Sequence, residues 1–251
     1  MSDTITTDDF LGGKVKIRQP KTGYRAGIDA VLLAASVEAV AGQTVLELGL
    51  GVGAASLCLH ARVHGLALTG VEIQESYAKL ARENGAKNKA DLHVVQADLR
   101  ELPHDIRQQQ FHHVIMNPPY FDRKMGAPSV DAGRDIAMGG DTGLSEWISV
   151  GAKRLLPKGY LTVIQRIERL PEILLATSER LGSIVVRPIA PRSGHPPNLF
   201  LMQARHSGRA PFRMLPPLIM HQGDHHEGDF EQYTARVRSI LRDGANLDWA
   251  D

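Results

Sequence analysis

Asn117-Pro118-Pro119-Tyr120 is the stretch of this chain best equipped for chemistry. It follows an apolar run, Val114-Ile115-Met116, so it marks the polar end of a buried strand opening into a loop. Each proline fixes its own φ and pushes the preceding residue out of the α region, so the chain leaves the strand extended. The Pro118 carbonyl is thereby kept out of a helix, with the Asn117 side-chain oxygen beside it. Two such acceptors suit a planar amino group, which presents two N–H donors. Tyr120 adds an aromatic face on which a flat substrate could lie. Asn-Pro-Pro is also an ordinary way to end a strand, and alone it does not separate the two readings.

A motif upstream bears on that choice. Val45-Leu46-Glu47-Leu48-Gly49-Leu50-Gly51-Val52-Gly53 is an apolar strand that ends in an acid and a glycine-rich turn. Ala54 to His60 follow with helical periodicity. Glycines at Gly49, Gly51 and Gly53 allow positive φ and let a ligand press on the backbone. Their spacing differs from the Gly-x-Gly-x-x-Gly of dinucleotide binders, and Glu47 would repel a pyrophosphate while suiting a cationic or amino-bearing ligand. A second strand, Leu68-Thr69-Gly70-Val71-Glu72, ends in a carboxylate placed to accept from both hydroxyls of a ribose. A third, Leu92-His93-Val94-Val95, leads to Asp98. Three strand-end acids in order, then Asn-Pro-Pro-Tyr, form one pattern.

In this order the motifs resemble the class I S-adenosylmethionine-dependent methyltransferases, and Asn-Pro-Pro-Tyr is similar to their amino-methylating branch. The stretch Thr22 to Ala34, together with Arg134, resembles the bacterial tRNA(Val) adenine-N6 methyltransferase family. The likeness covers roughly residues 10 to 205; Glu47 stands where many relatives carry Asp, and Leu50 is bulkier than usual between the glycines. The resemblance implies S-adenosyl-L-methionine as cofactor, with Glu47, Gly49, Gly51 and Gly53 toward its methionine part. Glu72 would take the ribose and Asp98 the adenine amino group. It further implies Asn117, Pro118 and Tyr120 as catalytic, and Pro119, Phe121, Arg25, Arg123 and Arg134 on the substrate side. Methyl transfer of this kind needs no metal, so the spacing of His221, His225, His226 and Asp229 is read as a solvated loop.

The elements that must position these residues are legible as alternation of strand and helix from Ile28 to about Arg180, the pattern of a parallel sheet covered on both faces. Helices are expected near Ile28–Ala41, Gly53–His64, Glu75–Asn88, Leu144–Leu156 and Glu168–Leu181. Strands are expected near Thr44–Leu48, Leu66–Glu72, Leu92–Gln96, Phe111–Asn117 and Tyr160–Gln165. Ile184–Ile189 and Leu199–Ala204 are joined by a link too short for a crossover helix, which makes them an antiparallel pair. The fold class is therefore α/β, a doubly wound, mostly parallel, seven-stranded sheet of the Rossmann-like methyltransferase kind with an antiparallel C-terminal hairpin. Three segments are expected: a basic segment and leading helix over 1–40, the methyltransferase domain over 41–206, and an extension over 207–251. Pro216 to Met220 reads as an edge strand and Phe230 to Leu241 has helical spacing. Residues 121 to 143 read as a substrate lid.

Composition narrows the partners. An apolar content of 43% suffices for a large core, and the single cysteine, Cys58, excludes an internal disulfide and suits a reducing cytoplasm. The acidic, polar start lacks a secretory signal pattern, and no stretch is long and apolar enough for a membrane span. The net charge is +1, but Lys14, Lys16, Arg18, Lys21 and Arg25 fall together without an acid. So do Arg187, Arg192, Arg205, Arg209 and Arg213. Basic runs over 14–25 and 187–213 suit an RNA backbone, tRNA under the resemblance. Two other readings remain open. A protein glutamine methyltransferase would grip a side-chain amide in the same loop, although such proteins carry a sizeable helical region before the glycine turn. A non-catalytic RNA-binding module on a relic fold would not need Glu47, Glu72 and Asn117 intact.

Overall fold

In a computed structural model the structure describes residues 4–120, 142–223 and 232–250. The chain opens with an antiparallel hairpin, β1 (Ile5–Phe10) and β2 (Val15–Pro20). In β2, Val15, Ile17 and Gln19 face inward while Lys16 and Arg18 stand on the outer side. The basic run thus hides an alternating strand pattern, and the leading segment holds a hairpin as well as the helix expected there.

Helix α1 (Ile28–Ala35) is shorter than the expected Ile28–Ala41. The Ser36 hydroxyl bonds back to the Leu33 carbonyl at 2.8 Å, and the C-terminal end of the chain then closes on the helix: Leu247 N–H donates to Ala35 O at 2.7 Å and Trp249 Nε1 to Ser36 O at 2.8 Å.

From there strands and helices alternate. The strands are β3 (Thr44–Leu48), β4 (Ala67–Glu72), β5 (Leu92–Gln96), β6 (Phe111–Met116), β7 (Leu155–Arg166), β8 (Gly182–Ala190) and β9 (Leu199–Arg205). Between them run α2 (Ala54–Arg62), α3 (Glu75–Lys87), α4 (His104–Gln108), α5 (Leu144–Lys153) and α6 (Leu170–Ser178). Two short strands, β10 (Arg213–Met214) and β11 (Leu218–Ile219), lie parallel to β8, and α7 (Ala235–Arg238) continues into a π turn, Ser239–Asp243.

Among the described residues the sheet has nine strands in the order β10-β8-β9-β7-β6-β3-β4-β5, with β11 also on β8. Strands β3 to β7 are parallel and β9 is antiparallel to both β7 and β8, as expected of the C-terminal hairpin. Val45 and Ile115 pack with α1, α2 and the C-terminal Val237 and Trp249 on one face. Leu46, Leu48, Val114 and Met116 pack with Trp147, Ile148 and Ile173 on the other. Burial on both faces explains the continuous apolar strands. The strand order reverses between β3 and β6, so the turn after one and the loop after the other meet at the carboxyl edge, where open α/β sheets bind ligands. Among the described residues no helix is long and apolar enough to cross a membrane.

Candidate active site

The glycine turn is preformed. Gly49, Gly51 and Gly53 all have positive φ, at 71°, 55° and 85°. Gly49 is the most constrained, because a Cβ there would stand 2.6 Å from the Trp147 ring of α5. Leu50, the bulky residue between the glycines, has its matching space: its methyls lie 2.5 Å from where a Cβ on Gly70 would be, so a small residue in β4 makes room for a large one in the turn.

Glu47 is buried at the end of β3. Its Oε2 accepts from Ser56 N–H at 3.0 Å and from the Ser56 hydroxyl at 2.5 Å, both in the first turn of α2. Burial pushes its carboxyl up to about 8, against the Ser56 hydrogen bonds and helped by the charge of Glu72. Glu72 is also buried and raised, by desolvation first, while backbone N–H groups of Gln74, Gly51 and Ile73 hold it down. Gly51 N–H reaches its Oε2 and Gln74 N–H its Oε1, each at 2.8 Å. A carboxylate has about four acceptor sites, so with three N–H donors in place capacity remains for about one ligand hydroxyl. Next to it in the chain Ile73 leaves 51% of its surface exposed, an apolar face just past the end of β4.

Asp98 lies beyond the end of β5 but is engaged locally. It caps the short turn Leu99–Glu101 by accepting from Arg100 N–H at 2.9 Å, and pairs with the Arg100 guanidinium at 2.6 Å. The Arg100 side chain holds its carboxyl below the usual range. A ligand amino group would have to share those oxygens with Arg100.

The loop after β6 is held from outside itself. Asn117 is half-buried, and its Oδ1 is out of contact with solvent and accepts no hydrogen bond among the described residues. The Pro118 carbonyl accepts from Gln165 Nε2 of β7 at 3.0 Å, and the Pro119 carbonyl from the same nitrogen at 3.5 Å. The Tyr120 hydroxyl donates to Asp29 in the first turn of α1, while the Arg166 guanidinium stands 6.0 Å from the Tyr120 ring centroid. Burial raises Asp29, opposed by the Tyr120 hydrogen bond and the Arg166 charge.

Tyr24 joins the two halves. A ring carbon lies 3.6 Å from where a Cβ on Gly51 would be, and its phenol is pushed up by burial and then by the charges of Asp29 and Glu47. Gln165, Asp29, Arg166, Trp147 and Ser56 were not among the expected site residues. Gln165 left a visible signal as the polar residue that ends the strand expected over Tyr160–Gln165, and Asp29 lies within the stretch Thr22 to Ala34.

The residues expected on the substrate side are more scattered. Arg25 is drawn into the hairpin, donating to Thr6 Oγ1 at 2.9 Å and pairing with Asp8. Arg18 pairs with Glu83, Lys16 with Asp9 at 2.9 Å, and Arg187 is buried and donates to Asp248 O at 3.1 Å. Arg192 donates to Gly223 O at 2.9 Å and Arg213 to Trp249 O at 3.0 Å. Much of each basic run therefore serves the fold. Phe121, Arg123 and Arg134, with the expected lid, lie outside the described residues, as do His225, His226 and Asp229; His221 stacks on Tyr233 at 4.9 Å.

A mostly parallel sheet, a left-handed glycine turn beside buried acids and a polar loop at the switch point are the arrangement expected of a class I methyltransferase. The chain belongs to the methyltransferase small domain family, which matches residues 25–177. It is 33% identical over 189 residues, 71% of this chain and 73% of the relative, to a Porphyromonas gingivalis protein named tRNA1(Val) (adenine(37)-N6)-methyltransferase. Among solved structures it resembles an Agrobacterium tumefaciens protein described as a predicted O-methyltransferase. The TM-score is 0.70 at 27% identity, covering 88% of this chain and 98% of that one. A Thermus thermophilus 16S rRNA N2 G1207 methyltransferase, solved with AdoMet and guanosine, shares the fold at a TM-score of 0.56 and 19% identity, over 80% of this chain and 50% of that one. The protein is an S-adenosylmethionine-dependent methyltransferase. Its own residues fit that cofactor: the buried carboxyl of Glu47 at the end of β3, its pKa raised, would be stabilised by a cationic ligand, and Glu72 keeps acceptor capacity at the end of β4.

Proposed function

We propose that the chain methylates the exocyclic N6 amino group of adenine in tRNA. The observation that carries this reading is the orphaned Asn117 Oδ1 beside the Pro118 carbonyl. A buried acceptor without a donor costs about 1–3 kcal/mol, and such groups persist where a ligand is to complete them. The name of the Porphyromonas relative supports adenine and tRNA as the acceptor.

Bound S-adenosylmethionine supplies an electrophilic methyl group. The chain's task is to present the nucleophile. An adenine amino nitrogen delocalises its lone pair into the ring. Accepting its two hydrogens at Asn117 Oδ1 and on the free lone pair of the Pro118 carbonyl favours localising that pair. Positive charge grows on the nitrogen as the new bond forms, so both acceptors bind the transition state more tightly than the ground state. No strong base is required. Tyr120 is fixed by Asp29, with Arg166 near one face. A base stacked on its other face would gain about 1–3 kcal/mol. Glu47 and the glycine turn would hold the methionine part of the cofactor, Glu72 its ribose, and Ile73 its adenine face. Phosphates of the tRNA would meet the exposed members of the two basic runs, Lys16 and Arg209 among them. A base in folded RNA must be extruded to reach the loop.

The test is incubation with unmodified tRNA and labelled cofactor, digestion to nucleosides, and a parallel reaction with a glutamine-bearing peptide. Label in N6-methyladenosine is expected. Label in another nucleoside, or only in the peptide, overturns the assignment.

A further inference from the structure

The loop Asn117 to Tyr120 poses a mechanical problem. The last backbone pair between β6 and β7 is Met116 with Val163, and beyond it Pro118 and Pro119 have no N–H to give. The ladder cannot continue, yet a clamp for an amino group needs its carbonyl fixed. Gln165 stands two residues past that last pair. Its backbone is committed to β9, opposite Phe200, and its side chain is fully buried. The side-chain amide therefore points across to the loop, with Nε2 3.0 Å from Pro118 O and 3.5 Å from Pro119 O, while Oε1 accepts from Arg166 N–H at 2.8 Å. That last bond fixes which end of the amide faces the prolines.

We infer that Gln165 is the positioning residue of the methyl-acceptor loop, its side-chain amide standing in for the ladder bonds that the two prolines cannot make. The sheet order gives the direction of approach. Strand β6 lies between β7 and β3, so Gln165 reaches Pro118 from the flank away from Glu47 and the glycine turn. Among the described residues no second donor to the Pro118 carbonyl is found, so Gln165 engages one lone pair and the other is left for the substrate. Its bond to Arg166 N–H also couples the loop to the residue over the Tyr120 ring.

The inference rests on Asn117 to Tyr120 being the acceptor loop, and it does not depend on which amino compound is methylated. Two variants test it, each compared with wild type on the acceptor that wild type methylates, tRNA or glutamine peptide. A wrong acceptor class then shows in the wild-type reaction alone. Gln165→Met removes the donor, and misplacing the carbonyl should lower kcat about 10- to 100-fold, with KM for the acceptor and Kd for the cofactor within about threefold. Gln165→Glu is the sharper variant. Its buried acid donates to Pro118 O only while protonated, and the carboxylate repels both carbonyls. Its kcat relative to wild type should fall at least about tenfold between pH 6 and pH 8.5. Taking the ratio cancels the titration of Glu47. Should Gln165→Met fail to fold, the Gln165→Glu profile decides alone. The inference is overturned if Gln165→Met keeps kcat within about twofold, if the Gln165→Glu ratio is flat with pH, or if cofactor affinity falls in step with kcat.

Discussion

The two halves of the site are built in opposite ways. The cofactor half is held mostly within its own strand ends and turns: Glu72 by three N–H groups and Glu47 by Ser56, with the Trp147 ring arriving from α5 to close on the left-handed glycine turn. The acceptor half borrows its order from distant side chains. Gln165 is 47 residues from Pro118 and Asp29 is 91 from Tyr120, and Asn117 Oδ1 has no donor among the described residues. One half is organised before any ligand arrives. The other keeps an unfilled acceptor, which under the proposed reading the substrate completes, so damage to each should register in a different measurement.

The largest separation is expected at Asn117. Asn117→Ala should lower kcat about 10²- to 10³-fold, the usual consequence of removing one group aimed at developing charge. Cofactor Kd by calorimetry should stay within about threefold. Equal loss of both would make Asn117 a structural residue and erase the contrast. Gly49→Ala should do the reverse. Its Cβ meets Trp147 at a backbone angle alanine avoids, so a loss of about 2–4 kcal/mol in denaturant stability or an equivalent loss of cofactor affinity is expected. An unchanged Gly49→Ala protein would show that the turn adapts.

The same contrast governs what the sequence could reveal. The cofactor half is local, so strand-end acids and glycine spacing announce it within a few residues, and Thr44–Leu48 and Leu92–Gln96 stand where periodicity placed them. The acceptor motif is also local, but its supports are not: no pattern along the chain joins Gln165 to Pro118 or Asp29 to Tyr120. The hairpin was masked for another reason. Its alternation sits under a run of basic residues, and the charges drew the reading toward phosphate while Val15, Ile17 and Gln19 carried the strand. Strand β7 begins at Leu155, ahead of the expected Tyr160. It passes through Lys158 at a φ of 68°, a left-handed residue that a propensity argument does not place in a strand.

A pH series probes the buried acid of the cofactor half. The folded pKa of Glu47, about 8, lies above its unfolded reference of 4.5, so the folded state holds the extra proton between those values. Its contribution is fully present below the lower value and is lost as pH rises through the upper one. The slope approaches about 1.4 kcal/mol per pH unit at most, and Asp29 and Glu72, both raised, act in the same direction. Glu47→Gln should flatten the pH dependence of urea stability between pH 5 and 8. The cationic cofactor favours the ionised form, so its affinity for wild type should rise across the same window and for Glu47→Gln should not. In the acceptor half, Asp29→Asn keeps the shape but weakens the anchor of the Tyr120 hydroxyl, and about a tenfold fall in kcat at unchanged cofactor Kd is expected.

The smallest effect separates the basic runs from the acceptor loop. Lys16 is 52% exposed at its side chain and its partner Asp9 59%, so the pair contributes little to the fold. Arg187, in the other run, is buried among backbone carbonyls. Lys16→Gln should leave unfolding and kcat unchanged, raise KM for tRNA about two- to fivefold, and lower the salt slope of tRNA binding by about one. Arg187→Gln should lower stability with the salt slope intact, because its charge is spent inside the molecule. A Lys16→Gln slope equal to that of wild type would move the RNA backbone off the outer face of the hairpin. The proposed tRNA would then be expected to approach from the β8–β9 side of the carboxyl edge, where Arg192 donates to the Gln222 and Gly223 carbonyls.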